Sequence, residues 1–260
     1  DGPVTVRIHN TNTRKIIHAT FEVRHGQPVE TGDLEIPGVD GSGSPVRLDF
    51  LEPGGATTGR LLPTALALDL LEVPGVGRLQ ASLVDAANAC VFVHATDLGL
   101  SGCELPDVTE SQPELMRLLG EIRLSASVAM GIASTREAAR DIPMVPLIAF
   151  LSPPQDSALI GGGTLGAHEA DLTVRMLSNG QPHRALPLTG ALCTAVAAQI
   201  EGTWAQRLAR EGRQGPLRLA MPSGVLTVDA AVERRQGQPY AVRGSFFRTT
   251  RRLFEGMVIA

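Results

Sequence analysis

Aromatic side chains make up only 3% of this chain, with one tryptophan and one tyrosine. The core of a 260-residue protein, long enough for two domains, must then rest on Leu, Val, Ile and Ala. Lysine is scarcer still. Lys15 is the only one, so most lysine-type catalytic bases are excluded and arginine supplies the rest of the positive charge. No basic stripe interleaved with aromatics occurs and the formal net charge is −4, which argues against a nucleic-acid partner. The three cysteines, Cys90, Cys103 and Cys193, are odd in number, widely spaced and without a C-x-x-C pair. That spacing excludes a disulfide framework and a structural zinc site, and fits a reducing cytosol. No apolar run is long enough to cross a bilayer, and no charged-then-apolar leader opens the chain. The expected location is therefore cytoplasmic. The chain starts at Asp1 rather than Met, which implies processing or further residues upstream.

Several catalytic signatures fail on inspection. Gly161-Gly162-Gly163-Thr164 has no Gly-Lys-Ser/Thr sequel, and His168-Glu169 has no second His four residues on. There is no G-x-S-x-G elbow and no dinucleotide fingerprint.

What is present is strand-rich. Val4 to Ile8 alternates, Ile16 to Val23 gives a second strand, and Val46 to Leu51 follows a Gly/Ser-rich break at 38–45 that reads as a domain crossing. Further strands are expected at Leu79 to Val84, Cys90 to Ala95, Val145 to Leu151, Leu217 to Ala220, Leu226 to Val232, Tyr240 to Phe247 and Phe254 to Ile259. Ser111-Gln112-Pro113-Glu114 has capping-box spacing ahead of Leu115, Leu118, Leu119 and Ile122 at helical intervals. A helix is expected from about His168 to a stop at Asn179-Gly180. Pro222-Ser223-Gly224 reads as a turn. Regular βαβ alternation is missing, so a doubly wound fold is excluded.

The most informative segment is Leu186-Pro187-Leu188-Thr189-Gly190-Ala191-Leu192-Cys193, continuing apolar through Ala198. It reads as a buried helix whose first turn leaves unpaired N–H groups. Two roles are open: an ordinary core helix with a Thr cap, or a carboxylate or phosphate site formed by those donors and the helix dipole.

Six segments in order resemble the 2-methylaconitate cis-trans isomerase family of the PrpF type. They are Val6-Arg7-Ile8-His9-Asn10-Thr11-Asn12-Thr13, the run 53–64 from Pro53-Gly54-Gly55 to Pro63-Thr64, the run 82–93 containing Asp85-Ala86-Ala87-Asn88, the run 183–193, Pro222-Ser223-Gly224-Val225, and the run 248–256. The resemblance covers the chain from end to end. It implies an α+β, diaminopimelate-epimerase-like fold of two pseudo-symmetric halves, each of β-sheet wrapped around a central helix, with substrate between the two helix N-termini. On that pattern residues 1–44, with 244–260 returning to them, belong to the first half-domain, and 45–243 form the second. The family's first helix starts at a Cys-Gly-Asn motif ahead of the Arg-Ile-His-Asn strand, and no Cys-Gly-Asn occurs in this sequence. The chain is thus expected to be an N-terminally truncated member, inactive alone, aggregation-prone through exposed apolar surface, and without the family's acid/base lysine and cysteine. Lys15 does not stand in the position of that lysine. Pro187 replaces the second cysteine of the amino-acid epimerases of this fold, which favours the isomerase branch. Ala65, Ala89 and Met221 are smaller departures.

The implied reaction shifts a proton at an allylic carbon of an unsaturated tricarboxylate through an enolate-like state, without a metal or organic cofactor, in propionate catabolism. The alternatives are oxalomesaconate tautomerisation, methylitaconate isomerisation, or a non-catalytic carboxylate-binding protein accessory to an aconitase-like dehydratase. Self-pairing as a homodimer is left open. Expected substrate-binding residues are Asn12, Thr58, Asn88, Ser178, His183, Thr189, Gly190 and Ala191, with the N–H of Leu192 as a further donor. The backbone donors of Gly55 to Gly59 are expected to grip a second carboxylate. Asn88 has a rival role in bridging two strand ends, and Ser178 in a purely structural turn. Asn10, Thr11 and Asn12 interrupt apolar alternation, which calls for side-chain partners. Arg251 and Arg252 are candidates to pair with a carboxylate, and Cys193 reads as a buried small residue.

Overall fold

Strand alternation and turn chemistry build most of the computed structural model, which describes residues 1–11, 15–250 and 256–257. Two long strands, β1 (Gly2–Asn10) and β2 (Lys15–Arg24), form an antiparallel hairpin with Asn10 opposite Lys15 at its tip. β1 leaves Val4, Val6 and Ile8 exposed, at alternate positions and so on one face. Short β3 (Gln27–Pro28) folds back on β2, while β4 (Leu34–Glu35) pairs with β5 (Ser42–Gly43). β6 (Pro45–Leu51) lies beside β2 on one edge and beside β17 (Gln238–Thr249) on the other. The sheet is therefore continuous through the Gly/Ser-rich segment read as a crossing.

A meander follows: β7 (Asp69–Val73), β8 (Gly77–Ala86) and β9 (Asn88–His94). Three helices come next, α1 (Pro106–Glu110), α2 (Pro113–Ala129) and α3 (Arg136–Arg140). β10 (Leu147–Ser152) runs parallel to β9. After the small hairpin β11 (Ser157–Ala158) and β12 (Thr164–Leu165), β13 (Leu172–Ser178) lies antiparallel to β10 and turns into β14 (Gln181–Pro182). Then come α4 (Leu188–Ala197), α5 (Trp204–Leu208), β15 (Leu217–Met221) and β16 (Gly224–Arg235), which leads into β17. The main sheet reads β1-β2-β6-β17-β16-β15-β13-β10-β9-β8-β7.

α4 touches β8 and β9 on one arm of that sheet and β16 and β17 on the other, so the sheet wraps around it. The architecture is α+β, mostly sheet. Every residue of α4 from Gly190 to Ala197 is buried. Burying Leu192 and Val196 contributes roughly 1.5–3 kcal/mol each. Small residues let the sheet close so tightly. A Cβ on Gly190 would collide with Met176 Sδ, and one on Gly244 would meet Leu192 carbons at 2.5 Å. On the opposite face, Leu115, Leu119, Ile122 and Ala126 of α2 pack against Leu83, Val91, Val93 and Phe150.

The helix expected from His168 to Asn179 is a strand. Only Ala167–Glu169 turns helically, as a 3-10 turn, and Leu172–Ser178 is β13. Residues 172–177 are buried on both faces, so the polar alternation that marks a half-exposed strand is absent. Asn179 (φ 48°) and Gly180 (φ 72°) are a hairpin turn rather than a helix stop. Nor is Ser111 a helix cap for α2. It closes α1, its hydroxyl donating to Val108 O at 2.9 Å, while α2 begins at Pro113 with Gln112 as N-cap. The Pro222-Ser223 turn is as read, with Met221 opposite Gly224. Asn12, Thr13, Arg251, Arg252 and nearly all of the strand expected at Phe254 to Ile259 lie outside the described residues.

Candidate functional site

β9 begins at Asn88, after a turn in which Ala87 adopts a left-handed conformation (φ 61°). The row Val91, Ile148, Leu177 crosses three strands, so Asn88, Ser178 and the β13–β14 turn lie at one end of the sheet. α4 presents its N-terminus at that end. The Asn88 amide Nδ2 donates to Thr189 Oγ1 at 3.3 Å, joining hairpin to helix. Asn88 thus makes a cross-element contact directed at the helix start.

α4 starts at Leu188, one residue earlier than the Thr-Gly pair suggests, and Pro187 is its N-cap, without a side-chain cap. The N–H of Ala191 donates to Pro187 O at 2.8 Å, and that of Leu192 lies within the helix ladder. Ala191 and Leu192 therefore offer no backbone donor to a ligand. Because Pro187 has no N–H, the donors unpaired among the described residues are those of Leu188, Thr189 and Gly190. The unpaired donors thus lie two residues upstream of the expected set of Gly190, Ala191 and Leu192. About half a unit positive charge from the helix dipole focuses there.

The loop at 53–61 is held against the same end, but the backbone donors of Gly55, Thr57, Thr58 and Gly59 are already taken. Gly55 N donates to Asp85 O at 2.8 Å, and Gly59 N to Gly55 O at 3.1 Å. Thr57 N (2.9 Å), Thr58 N (2.6 Å) and Thr58 Oγ1 (2.9 Å) all converge on Asp85 Oδ2. Thr58 is therefore a clasp within the loop, and the expected second cradle in Gly55 to Gly59 does not form. Asp85 is fully buried, and its Oδ1 has no hydrogen-bond partner among the described residues. The sequence reading missed it. The signal was an acidic residue ending an apolar strand run, immediately before the turn to Asn88.

Ser178 Oγ and His183 Nε2 are 2.6 Å apart across the β13–β14 turn, each half-buried. Burial pushes the His183 imidazole down, so the neutral ring is favoured. Arg184 turns outward to Asp107 at 3.4 Å. Beneath the site, Cys193 Sγ donates to Val84 O at 3.4 Å and Cys90 lies alongside, both fully buried. Burial pushes the Cys90 thiol well up, with Cys193 and Asp85 adding to the effect. Cys193 is the buried small residue expected of it. No group of three or more His, Cys, Asp or Glu suited to a metal ion occurs among the described residues.

The family model for the PrpF protein matches residues 2–260. The 3-methylitaconate isomerase of Eubacterium barkeri is 37% identical, the alignment covering 98% of this chain and 67% of that protein. The 2-methyl-aconitate isomerase of Shewanella oneidensis is 34% identical, over 99% of this chain and 66% of its own length. A crystal structure of methylitaconate-delta-isomerase matches with TM-score 0.91 at 36% identity, covering 99% of this chain and 66% of that one. The chain spans about two-thirds of the length of these relatives.

Proposed function

This chain belongs to the PrpF protein family, and from that membership we propose that it forms the substrate-holding part of an isomerase of unsaturated carboxylates such as 2-methylaconitate. The observation that carries the reading is the α4 N-terminus, where three unpaired N–H groups stand beside the Asn88–Thr189 pair. In the reaction a general base takes the proton from one allylic carbon, and the electron pair of that C–H bond spreads into the neighbouring carboxylate. A C–H bond then forms at the far end of the three-carbon unit, or the relaxed double bond rotates before the proton returns. Negative charge grows on carboxylate oxygens in between. Fixed N–H donors aimed at that charge do the stabilising, and losing one costs about 3 kcal/mol of barrier. Asn88 orients Thr189, and Ser178 with neutral His183 supplies polar contacts nearby. Asn12 belongs to the same proposed set.

The names of the relatives, acting on methylitaconate and 2-methyl-aconitate, support the substrate class. They differ in whether the double bond moves or rotates, and both outcomes follow from one enolate-like state. Oxalomesaconate is a further substrate within the same chemistry. The proposal also assigns 45–243 to the half wrapped on α4, and 1–44 with 244–260 to a first half-domain. A cytoplasmic location is supported by three free cysteines and by the lack, among the described residues, of a helix long and apolar enough to cross a membrane. Self-pairing and work beside an aconitase-like dehydratase are parts of the proposal to be tested by co-purification.

The test is calorimetric titration of the chain with cis-aconitate. Binding that weakens at least tenfold in Asn88→Ala and Thr189→Val supports the reading; binding indifferent to both overturns it. Substrate-dependent proton exchange in deuterated water then separates an isomerase from a carboxylate-binding accessory protein, which gives none.

A further inference from the structure

The chain's only lysine stands at this same end of the sheet. Lys15 opens β2, opposite Asn10, and its Nζ donates to Gly54 O at 3.1 Å. Gly54 in turn bridges to Ala86, two residues ahead of Asn88, and Asn88 holds Thr189 in the first turn of α4. Alternation puts Lys15 on the same face of β2 as Ile17 and Ala19, which stand opposite Phe50 and Leu48. Those two phenylalanine and leucine side chains pack on the core around α4. The ammonium therefore lies on the α4 side of the sheet, linked through Gly54 and Ala86 to the turn that carries Asn88, and not on the outer face.

Its surroundings are those of a cation awaiting an anion. Lys15 is half-buried, one of its three donors is taken by a neutral carbonyl, and no carboxylate lies within ion-pair distance among the described residues. Glu52 stands across from Lys15 when the β2–β6 register is extended by two residues, and it is the group placed to neutralise it. Its backbone leaves the strand (φ 46°) and its carboxylate interacts with Tyr240 instead. A charge kept partly out of water without a counter-ion is costly unless something else supplies one.

We infer that Lys15 receives a second carboxylate of the ligand whose first carboxylate sits on the α4 N-terminus, so that the site selects di- and tricarboxylates over monocarboxylates. This rests on the proposed function and deepens it. Two cationic poles at one end of the sheet, a helix N-terminus and an ammonium, require two anionic groups on one molecule. A lysine placed only to tie down the 53–61 loop would affect all ligands alike.

The experiment is calorimetric titration of the unaltered chain, Lys15→Met and Lys15→Arg with cis-aconitate, mesaconate and crotonate, which carry three, two and one carboxylates. The unaltered chain should bind cis-aconitate at least tenfold more tightly than crotonate. Lys15→Met should reduce that ratio to within about threefold, and Lys15→Arg should keep most of it. The readout is the ratio, which a purely structural role does not move, and melting curves confirm that each variant is folded. If the unaltered chain binds cis-aconitate and Lys15→Met keeps its full preference, this inference is overturned while the α4 reading stands. If the unaltered chain binds none of the three, both fall. Should Lys15→Met fail to fold, Lys15→Gln takes its place with the same outcomes.

Discussion

Replacing Asp85 with alanine should loosen the 53–61 loop and the end of the sheet with it. Three donors converge on Oδ2, from Thr57 N, Thr58 N and Thr58 Oγ1, at 2.9, 2.6 and 2.9 Å. Hydrogen bonds to a charged group contribute about 1.5–3 kcal/mol each, though not additively when they share one atom. Thr57 is exposed, so water takes over part of the loss. The alanine also removes Oδ1, a buried oxygen without a partner among the described residues, and relieves a desolvation penalty of about 1–3 kcal/mol. The net expectation is a loss of about 2–4 kcal/mol, or roughly 5–15 °C in melting temperature for a chain of this size. Asp85→Asn keeps an acceptor in place without the charge and should lose about half as much. Urea unfolding followed by circular dichroism gives the magnitude, and hydrogen exchange at the Thr57 and Thr58 amides gives the location. Asp85→Ala melting within 1 °C of the unaltered chain, with those two amides still protected, would refute the assignment of Asp85 as the anchor of the loop.

Two further perturbations probe the helix and the turn. Gly190→Ala should cost about 1–3 kcal/mol by overpacking, since its Cβ meets Met176 Sδ and lies 3.0 Å from Leu147 Cδ1. Combining it with Met176→Ala should cost less than the sum of the two single changes; strict additivity in denaturant midpoints would show that the two residues do not press on each other. His183 has a folded-state pKa lowered by burial, so its contribution is present above the unfolded value of 6.5 and is lost as pH falls through the lowered value. His183→Gln should therefore lose less stability than the unaltered chain on acidification below pH 6.5, and parallel stability profiles would contradict this.

Alternating strands were legible: in β16 the alternation reports one buried face, while β1 alternates although its residues are exposed almost throughout. β1, β2 and β16 fall where the pattern puts them. β13 was not legible, because burial on both faces erases the period, and Arg175 sits inside it satisfied by the backbone carbonyls of Cys103, Glu104 and Val174. The Asn179-Gly180 pair fits a hairpin turn as well as a helix end, and the pair alone does not distinguish them. At the site, the apolar run announced α4 and its free N-terminus. What no local pattern conveys is where a donor points. Thr58 and Gly55 look available in the sequence and are claimed by Asp85, far along the chain. Lys15 does not occupy a catalytic lysine's position in the sequence, and its contact with Gly54 depends on strand order rather than on spacing.

The placement of β17 between β6 and β16 sets the order in which the chain can come together. Leu51 finds its partner in Arg243, so the edge of β6 that faces β17 stays unpaired until β17 has been made. Contacts so distant in sequence are slow to form. During synthesis that edge of β6 would wait unpaired, while the meander of β7, β8 and β9 already has local partners. The hazard for this protein in a cell therefore lies in the interval before β17 leaves the ribosome, and slowing translation there would lengthen it.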